Sequence, residues 1–337
     1  MAEGPAVDTS RRVGFQTSDV VRTALLYLTL AVTVGVVYAV LRPLVKDGPL
    51  YLWIRHQIYY PSIESIGAIF TNPLFYGGLA IVLLLERLFP AKTAQPQFSV
   101  GLAQDAVFLA VVAGIETTAI AAYVSFLRAI YNEHLQMLTI ESAQALPLGA
   151  SLMLGILVSD FLGWFHHWFR HKVPALWEFH TVHHSQRELN IFTDARYHVL
   201  EYFVSRTITT FPLMMFGVNY YGITLILVIH TWFTRLYHGN IRSNFGVLRY
   251  VFVTPQSHRV HHSIEERHWN KNFGVLFSIW DRMFGTQYKN YDEYPDTGVH
   301  DDHFPLERSI GGLNLLLTPV RQHIYPFRTV FGWLARK

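Results

Sequence analysis

Eight histidines in three short clusters require distant parts of this chain to meet. The clusters are His167-Trp-Phe-Arg-His171, His180-Thr-Val-His183-His184 and His258-Arg-Val-His261-His262. Thirteen of the eighteen histidines fall between His166 and His268. On an α-helix, positions i, i+3 and i+4 share a face, with Cβ atoms about 5–6 Å apart. HxxxH therefore aims two imidazoles one way. HxxHH aims two of its three at one ion and keeps the third nearby. Imidazole is the commonest protein ligand for first-row metals, and eight are too many for one ion. The pattern calls for two metal centres. A fold that satisfies it must bring residues about 95 positions apart to one place.

The remainder of the chain points to a membrane. Over 337 residues it is 51% hydrophobic and 15% charged, against roughly 25% charged for a soluble domain. The net charge of +3 is mild and its basic residues are dispersed, which argues against nucleic acid. With no cysteine, disulfides, thiolate ligands and iron–sulfur clusters are excluded, so metal must be held by nitrogen and oxygen.

Residues 1–19 read as a polar cytosolic tail without a signal-peptide pattern. Four apolar stretches are candidates for membrane crossing: Val20 to Leu41, Leu74 to Phe89, Ala106 to Leu127 and Leu146 to Phe165. Lys and Arg enrichment after Phe169 places the histidines in the cytosol, which an even number of crossings allows. A fifth stretch, Thr207 to Phe233, is too short for two full spans. A single crossing there would separate the two HxxHH clusters. It is expected to be a re-entrant hairpin turning near Gly217 to Gly222, each arm covering about half the apolar core. Gly311 to Trp333 reads as interfacial. The expected fold is an all-α, polytopic membrane helical bundle of about four spanning helices plus that hairpin, under a cytosolic histidine-rich cap. Its regions would be 1–19, a transmembrane part 20–145, a catalytic part 146–290 and a C-terminal segment 291–337.

Asp160 lies two helical turns before His167, within the fourth apolar stretch, where an ionisable group is expensive. Its expected role is to accept a ring N–H from a ligating imidazole. His166 points about 100° from His167 and reads as a wall residue, and His268 falls in a polar, solvated loop. Two other chemistries use such histidines. A zinc hydrolase would use three protein ligands and a carboxylate base, as in HExxH, which is absent. A metal transporter would place its ligands at mid-membrane.

The arrangement resembles the fatty acid hydroxylase/sterol desaturase superfamily over roughly Asp160 to Gln287. The matching text is Asp160-x6-His167-x3-His171, Phe179-His180-Thr-Val-His183-His184-Ser185, Arg196-Tyr-His198-Val-Leu-Glu201, His238-Gly-Asn240, and Thr254-Pro-Gln-Ser-His258-Arg-Val-His261-His262-Ser263. It continues through Asn272-Phe-Gly274 to Trp280-Asp281 and Gly285-Thr286. Trp168 stands where the family's pattern has Arg, and Val199 where it has Pro. The alkylglycerol monooxygenase-like and bacterial sterol-desaturase-like branches are the most similar.

The resemblance implies a membrane diiron oxygenase using O2 as co-substrate to hydroxylate a lipid, or to desaturate one. It implies ten iron ligands: the eight clustered histidines with His198 and His238, His230 being held in reserve. Glu201 and Asp281 join Asp160 as supporting carboxylates. A separate ferredoxin or cytochrome with its reductase would bring electrons to a basic face including Arg187, Arg242, Arg249 and Arg267. The lipid chain is expected to lie among Trp164, Phe192, Phe211 and Tyr220. A bacterial inner membrane is favoured over the endoplasmic reticulum.

Overall fold

Proline and glycine set the turns that bring the histidine helices together. The computed structural model describes residues 73–115, 121–218, 220–306 and 314–335. The first expected span, Val20 to Leu41, lies outside them. All fall within the compact unit Trp53–Lys337. Among the described residues, besides one short turn of helix at Glu141–Gln144, ten helices carry the architecture: α1 (Pro73–Leu88), α2 (Val100–Ile115), α3 (Ala121–Ile130), α4 (Leu148–Lys172), α5 (Pro174–His184), α6 (Val199–Met215), α7 (Tyr220–His238), α8 (Pro255–His261), α9 (Ile279–Met283) and α10 (Asn314–Ala335). Among the described residues the only β pairing is three isolated bridges. The fold is all-α, as the sequence leads one to expect.

α4 carries HxxxH and α5 carries the first HxxHH, with one residue between them. Pro174 disfavours helical backbone at Val173, which is extended at φ −100°, ψ 112°. The same proline then starts α5 at its first position, where a missing N–H costs nothing. That single break folds α5 back so that His180 and His184 face His167 and His171. α8, carrying the second HxxHH, starts on a capping box. Thr254 accepts from the Ser257 amide, Ser257 accepts from the Thr254 amide, and Pro255 occupies the first helical position.

Among the described residues one helix, spanning 149–172 within α4, is long and apolar enough to cross a membrane. The second expected span coincides with α1, whose 16 residues extend about 24 Å and are fewer than a full crossing needs. The third overlaps α2 and α3, with residues 116–120 outside the described ones.

α6 and α7 flank the expected turn, and both are longer than the expected arms. α6 begins at Val199 and α7 runs on to His238, giving 17 and 19 residues, or about 25 and 28 Å. Each nearly matches the ~30 Å apolar core of a bilayer. The apolar run underestimated them because polar residues such as Glu201, Arg206, Arg235 and His238 are helical too. The turn is a Schellman motif. Gly217 has φ +67°, its amide donates to Met214 O, and Val218 N donates to Leu213 O. Leu213, Met214, Val218, Ile223 and Ile226 form an apolar core at this end with Tyr131. Gly155 lets α4 press against it, since a Cβ there would lie 3.2 Å from Ile226, Leu213 and Val218.

α10 shows one apolar stripe, Leu316, Val320, Ile324, Phe327 and Phe331, to the outside, while Thr318 and Gln322 are buried.

Candidate metal centre

Nine buried or nearly buried histidines converge in two groups. His167, His171, His180, His184 and His261 each bring one ring nitrogen within 4.8 Å of the others. His183, His238, His258 and His262 do the same. The two HxxHH motifs divide between the groups in reciprocal fashion. The i, i+4 pair of the first, His180 and His184, joins the five-membered group, and its middle residue His183 joins the other. The pair His258 and His262 of the second joins the four-membered group, and His261 crosses over. α4 adds His167 and His171 to one group, and the end of α7 adds His238 to the other. The groups adjoin, with His184 and His262 stacked at 4.3 Å between centroids.

Backbone carbonyls and a carboxylate set the tautomers. Nδ1–H of His167 donates to Phe273 O at 3.0 Å, that of His261 to Lys271 O at 2.8 Å, that of His183 to Arg196 O at 3.1 Å and that of His238 to Thr234 O at 2.7 Å. His180 Nδ1 lies 3.2 Å from Glu201 Oε1, which also accepts from Arg170 at 3.1 Å. We assign Nδ1–H there, although Arg170 Nη1 is equally near that nitrogen. Each of these bonds leaves Nε2 as a lone pair.

In the first group all five Nε2 atoms are buried and without a hydrogen-bond partner. In the second, His183 Nε2 and His238 Nε2 face each other at 3.2 Å, and both rings have committed their protons elsewhere. Two lone pairs at that distance repel unless a cation lies between them. Burial pushes His180, His183, His184, His258 and His262 well below the usual histidine value, and His261 down to about 4. Neutral imidazoles with converging inward nitrogens are what a pair of first-row metal ions requires.

His198 stands apart from both groups. It caps α6, where Nδ1 accepts from Leu200 N at 3.2 Å while Nε2–H donates to His323 O at 3.0 Å. Both nitrogens are used, so this tenth expected ligand has no free donor. His230 is not in either group, and its Nε2 lies 3.9 Å from Asp160 Oδ1. His268 is buried rather than solvated, with Nδ1 2.8 Å from Ser263 Oγ. His166 lines neither group and is buried.

The three expected carboxylates act at different removes. Glu201 reaches His180 directly. Asp160 does not touch a clustered imidazole. It accepts from Leu276 N at 2.7 Å, Phe277 N at 3.0 Å and Trp280 Nε1 at 2.8 Å. Asp281 accepts from Phe273 N and Gly274 N at 2.8 Å, Trp164 Nε1 at 3.0 Å and Thr286 Oγ1 at 2.5 Å. Both pin the 273–281 segment, and Asp281 thereby steadies the Phe273 carbonyl that orients His167. Amide donors on a loop over 100 residues away carry no periodic signal, so helix geometry alone assigned Asp160 the wrong partner.

Sequence reasoning missed Asp105 on α2. It accepts from Arg196 Nε at 2.6 Å, Gln186 Nε2 at 2.6 Å, Asn190 Nδ2 at 2.8 Å and Thr193 Oγ1 at 2.8 Å, all buried. Arg196 O is the carbonyl that orients His183, so Asp105 supports the second group as Asp281 supports the first. The available signal was an acid beside an apolar run. The four expected lining aromatics do not form one wall. Trp164 stacks on Phe284, Phe192 packs beside Ile191 and Ile241, and Phe211 packs on Tyr131. The side chain of Tyr220 lies outside the described ones.

The sequence pattern of the fatty acid hydroxylase family matches residues 152–286, which hold all nine clustered histidines. That stretch is similar to a fatty acid hydroxylase domain. Over 232 residues, 68% of this chain and 70% of the relative, it is 27% identical to an ornithine lipid hydroxylase of Rhizobium tropici. The human alkylglycerol monooxygenase is 34% identical over 138 residues, 38% of this chain and 29% of that protein. Human cholesterol 25-hydroxylase is 25% identical over 147 residues, 43% of this chain and 54% of that protein. The chain thus spans under a third of the alkylglycerol monooxygenase. No solved structure matches. The two histidine groups, Glu201, Asp160 and Asp281 all lie on the matched residues; Asp105 lies before them.

Proposed function

We propose that this protein is a membrane-bound diiron oxygenase that hydroxylates a lipid, using O2 and electrons from a separate ferredoxin or cytochrome. The observation that carries the reading is the convergence of nine histidines in two groups: five whose inward Nε2 atoms have no hydrogen-bond partner, and four whose Nε2 atoms face only one another. His167, His171, His180, His184 and His261 would hold one ion. His183, His238, His258 and His262 would hold the other. Bound there, two irons supply the redox chemistry that activates dioxygen. The overall balance is a C–H bond, O2, two electrons and two protons giving C–OH and water.

The chain's own residues supply position and dryness. Carbonyls of Phe273, Lys271, Arg196 and Thr234, with the Glu201 carboxylate, hold five imidazoles in one tautomer, so little reorganisation accompanies metal binding. The clustered rings are shielded from bulk water, which protects a reactive oxidant from side reactions. Outward apolar side chains on α1 and α10 support a protein embedded in a bilayer, with α10 lying along the interface. The multi-pass topology with a cytosolic site, in a bacterial inner membrane, belongs to the same reading. The relatives, two hydroxylases and a monooxygenase, favour hydroxylation over desaturation.

Metal content by mass spectrometry on detergent-purified, iron-loaded protein tests the centre. About two irons per chain are expected, with a clear loss in His183→Ala. Incubation with lipid extracts, a reductase–ferredoxin system and 18O2 tests the reaction, one 18O entering a lipid product. Stoichiometric zinc that iron cannot replace would refute the diiron assignment.

A further inference from the structure

Outside the two histidine groups, one more set of donor atoms converges among the described residues. Glu265, His268 and Glu293 each bring a donor within 4.8 Å of the others. Two carboxylates near a surface are ordinary, and Arg267 lies across these, donating to Glu265 Oε2 at 2.7 Å and to Glu293 Oε1. His268 is what sets the group apart. Its ring is fully buried, and Nε2 has no hydrogen-bond partner while lying 3.4 Å from Glu293 Oε1. Ser263 Oγ lies 2.8 Å from Nδ1; when it accepts from Nδ1–H, the ring keeps Nε2 as a lone pair. A sealed lone pair beside an anionic oxygen is costly unless a cation lies between them. With metal–ligand bonds of about 2.1 Å, the edge of a tetrahedron is about 3.4 Å, matching the nitrogen–oxygen separation.

We propose that Glu265, His268 and Glu293 form a third metal site, distinct from the paired histidine centre, for a divalent transition metal such as zinc. One imidazole and two carboxylates suit such an ion. Arg267 is the built-in competitor: its half-exposed guanidinium neutralises the carboxylates and swings into solvent when the metal enters. Glu293 is further held by Tyr288 Oη at 2.8 Å and Asn290 Nδ2 at 3.1 Å, so its carboxylate is already oriented.

The site would act as a staple. Glu265 and His268 follow directly on the second HxxHH, whereas Glu293 lies on a strap that returns to it. Ile264 N donates to Asp296 O at 3.2 Å, and Gly298 N donates to His262 O at 3.1 Å. A metal fastening Glu293 to His268 would thus stiffen the segment that carries His262, a member of the four-histidine group.

The test uses full-length detergent-purified protein, first loaded with iron and then titrated with Co2+, whose visible absorption reports its coordination. Wild type is expected to take up one Co2+ per chain beyond its iron, released by Zn2+. His268→Gln and Glu293→Gln should each lose that one ion while their iron content stays at the wild-type level. Arg267→Ala should bind it several-fold more tightly, because a competing cation is gone. If the chain takes no iron, the same one-ion difference between wild type and His268→Gln reads the site in apo protein. No extra Co2+, uptake indifferent to both Gln variants, or weaker binding in Arg267→Ala would each overturn the proposal.

Discussion

Asp105→Asn removes a buried charge without changing shape, and its effect should reach the metal centre through Arg196. Asp105 and Arg196 are both fully buried, paired at 2.6 Å, and Asp105 Oδ2 takes three further bonds from Gln186, Asn190 and Thr193. An asparagine keeps one acceptor oxygen and turns the other position into a donor. If the new NH2 faces Arg196, two donors confront each other beside a charge that has lost its counterion. If it faces the other side, the amides of Gln186 and Asn190 lose their acceptor. Stranding one partner of a buried ion pair costs about 3–5 kcal/mol, and each orphaned neutral donor costs about 1–3 kcal/mol. The variant should therefore be destabilised by roughly 3–5 kcal/mol, a large fraction of typical stability.

A displaced Arg196 also moves the carbonyl that receives His183 Nδ1–H at 3.1 Å. Loss of such a supporting contact typically weakens metal affinity about 10–100-fold, and here it should fall on the four-histidine group. The assay is iron retention against a graded series of chelators, read alongside thermal unfolding in detergent. One iron per chain should become labile in Asp105→Asn while the other resists as in wild type. Equal retention of both irons and an unchanged unfolding temperature would refute the chain of support from Asp105 to His183.

Asp281→Asn should show the converse: it loosens Phe273 and hence His167, so the iron of the five-histidine group becomes the labile one in the same titration. His198→Ala should lose a helix cap and the bond to the His323 carbonyl, about 1 kcal/mol each, with iron content unchanged; loss of an iron would make His198 a ligand after all. In metal-free protein, stability should fall as pH drops. Burial holds His261 down to about 4, so between about 6.5 and 4 the unfolded chain binds a proton that the folded chain refuses, costing roughly 3 kcal/mol for this residue alone. Iron or zinc loading should shift that acid transition to lower pH, measured by unfolding midpoints from pH 7.5 to 4.5. Gly274→Ala should destabilise by about 1–3 kcal/mol, because its Cβ would meet Phe277 O at 2.8 Å and Val253 at 2.7 Å.

Much of the centre is legible in the sequence because its main pattern is local. His167 and His171, His180 and His184, and His258 and His262 each meet through one turn of helix, a relation set by 3.6 residues per turn. Pro174 and Pro255 mark helix starts for an equally local reason. The two arms around Gly217 follow from an apolar run interrupted where only glycine is comfortable. Their true lengths do not, since polar residues at the ends of both arms are helical as well.

What only the tertiary structure decided is which atoms meet across the chain. Neither HxxHH motif indicates that His183 and His261 exchange groups, because that depends on how α5 and α8 face one another. His198 lies within a matching motif, yet a cap on α6 and the carbonyl of His323 consume both its nitrogens. Asp160 and Asp281 bind amides of the 273–277 segment, and Asp105, 91 residues before Arg196, supports His183 through it. Periodicity records the geometry of a single helix. A hydrogen-bond partner is chosen only when separate segments pack and exclude water, so it leaves no spacing to read.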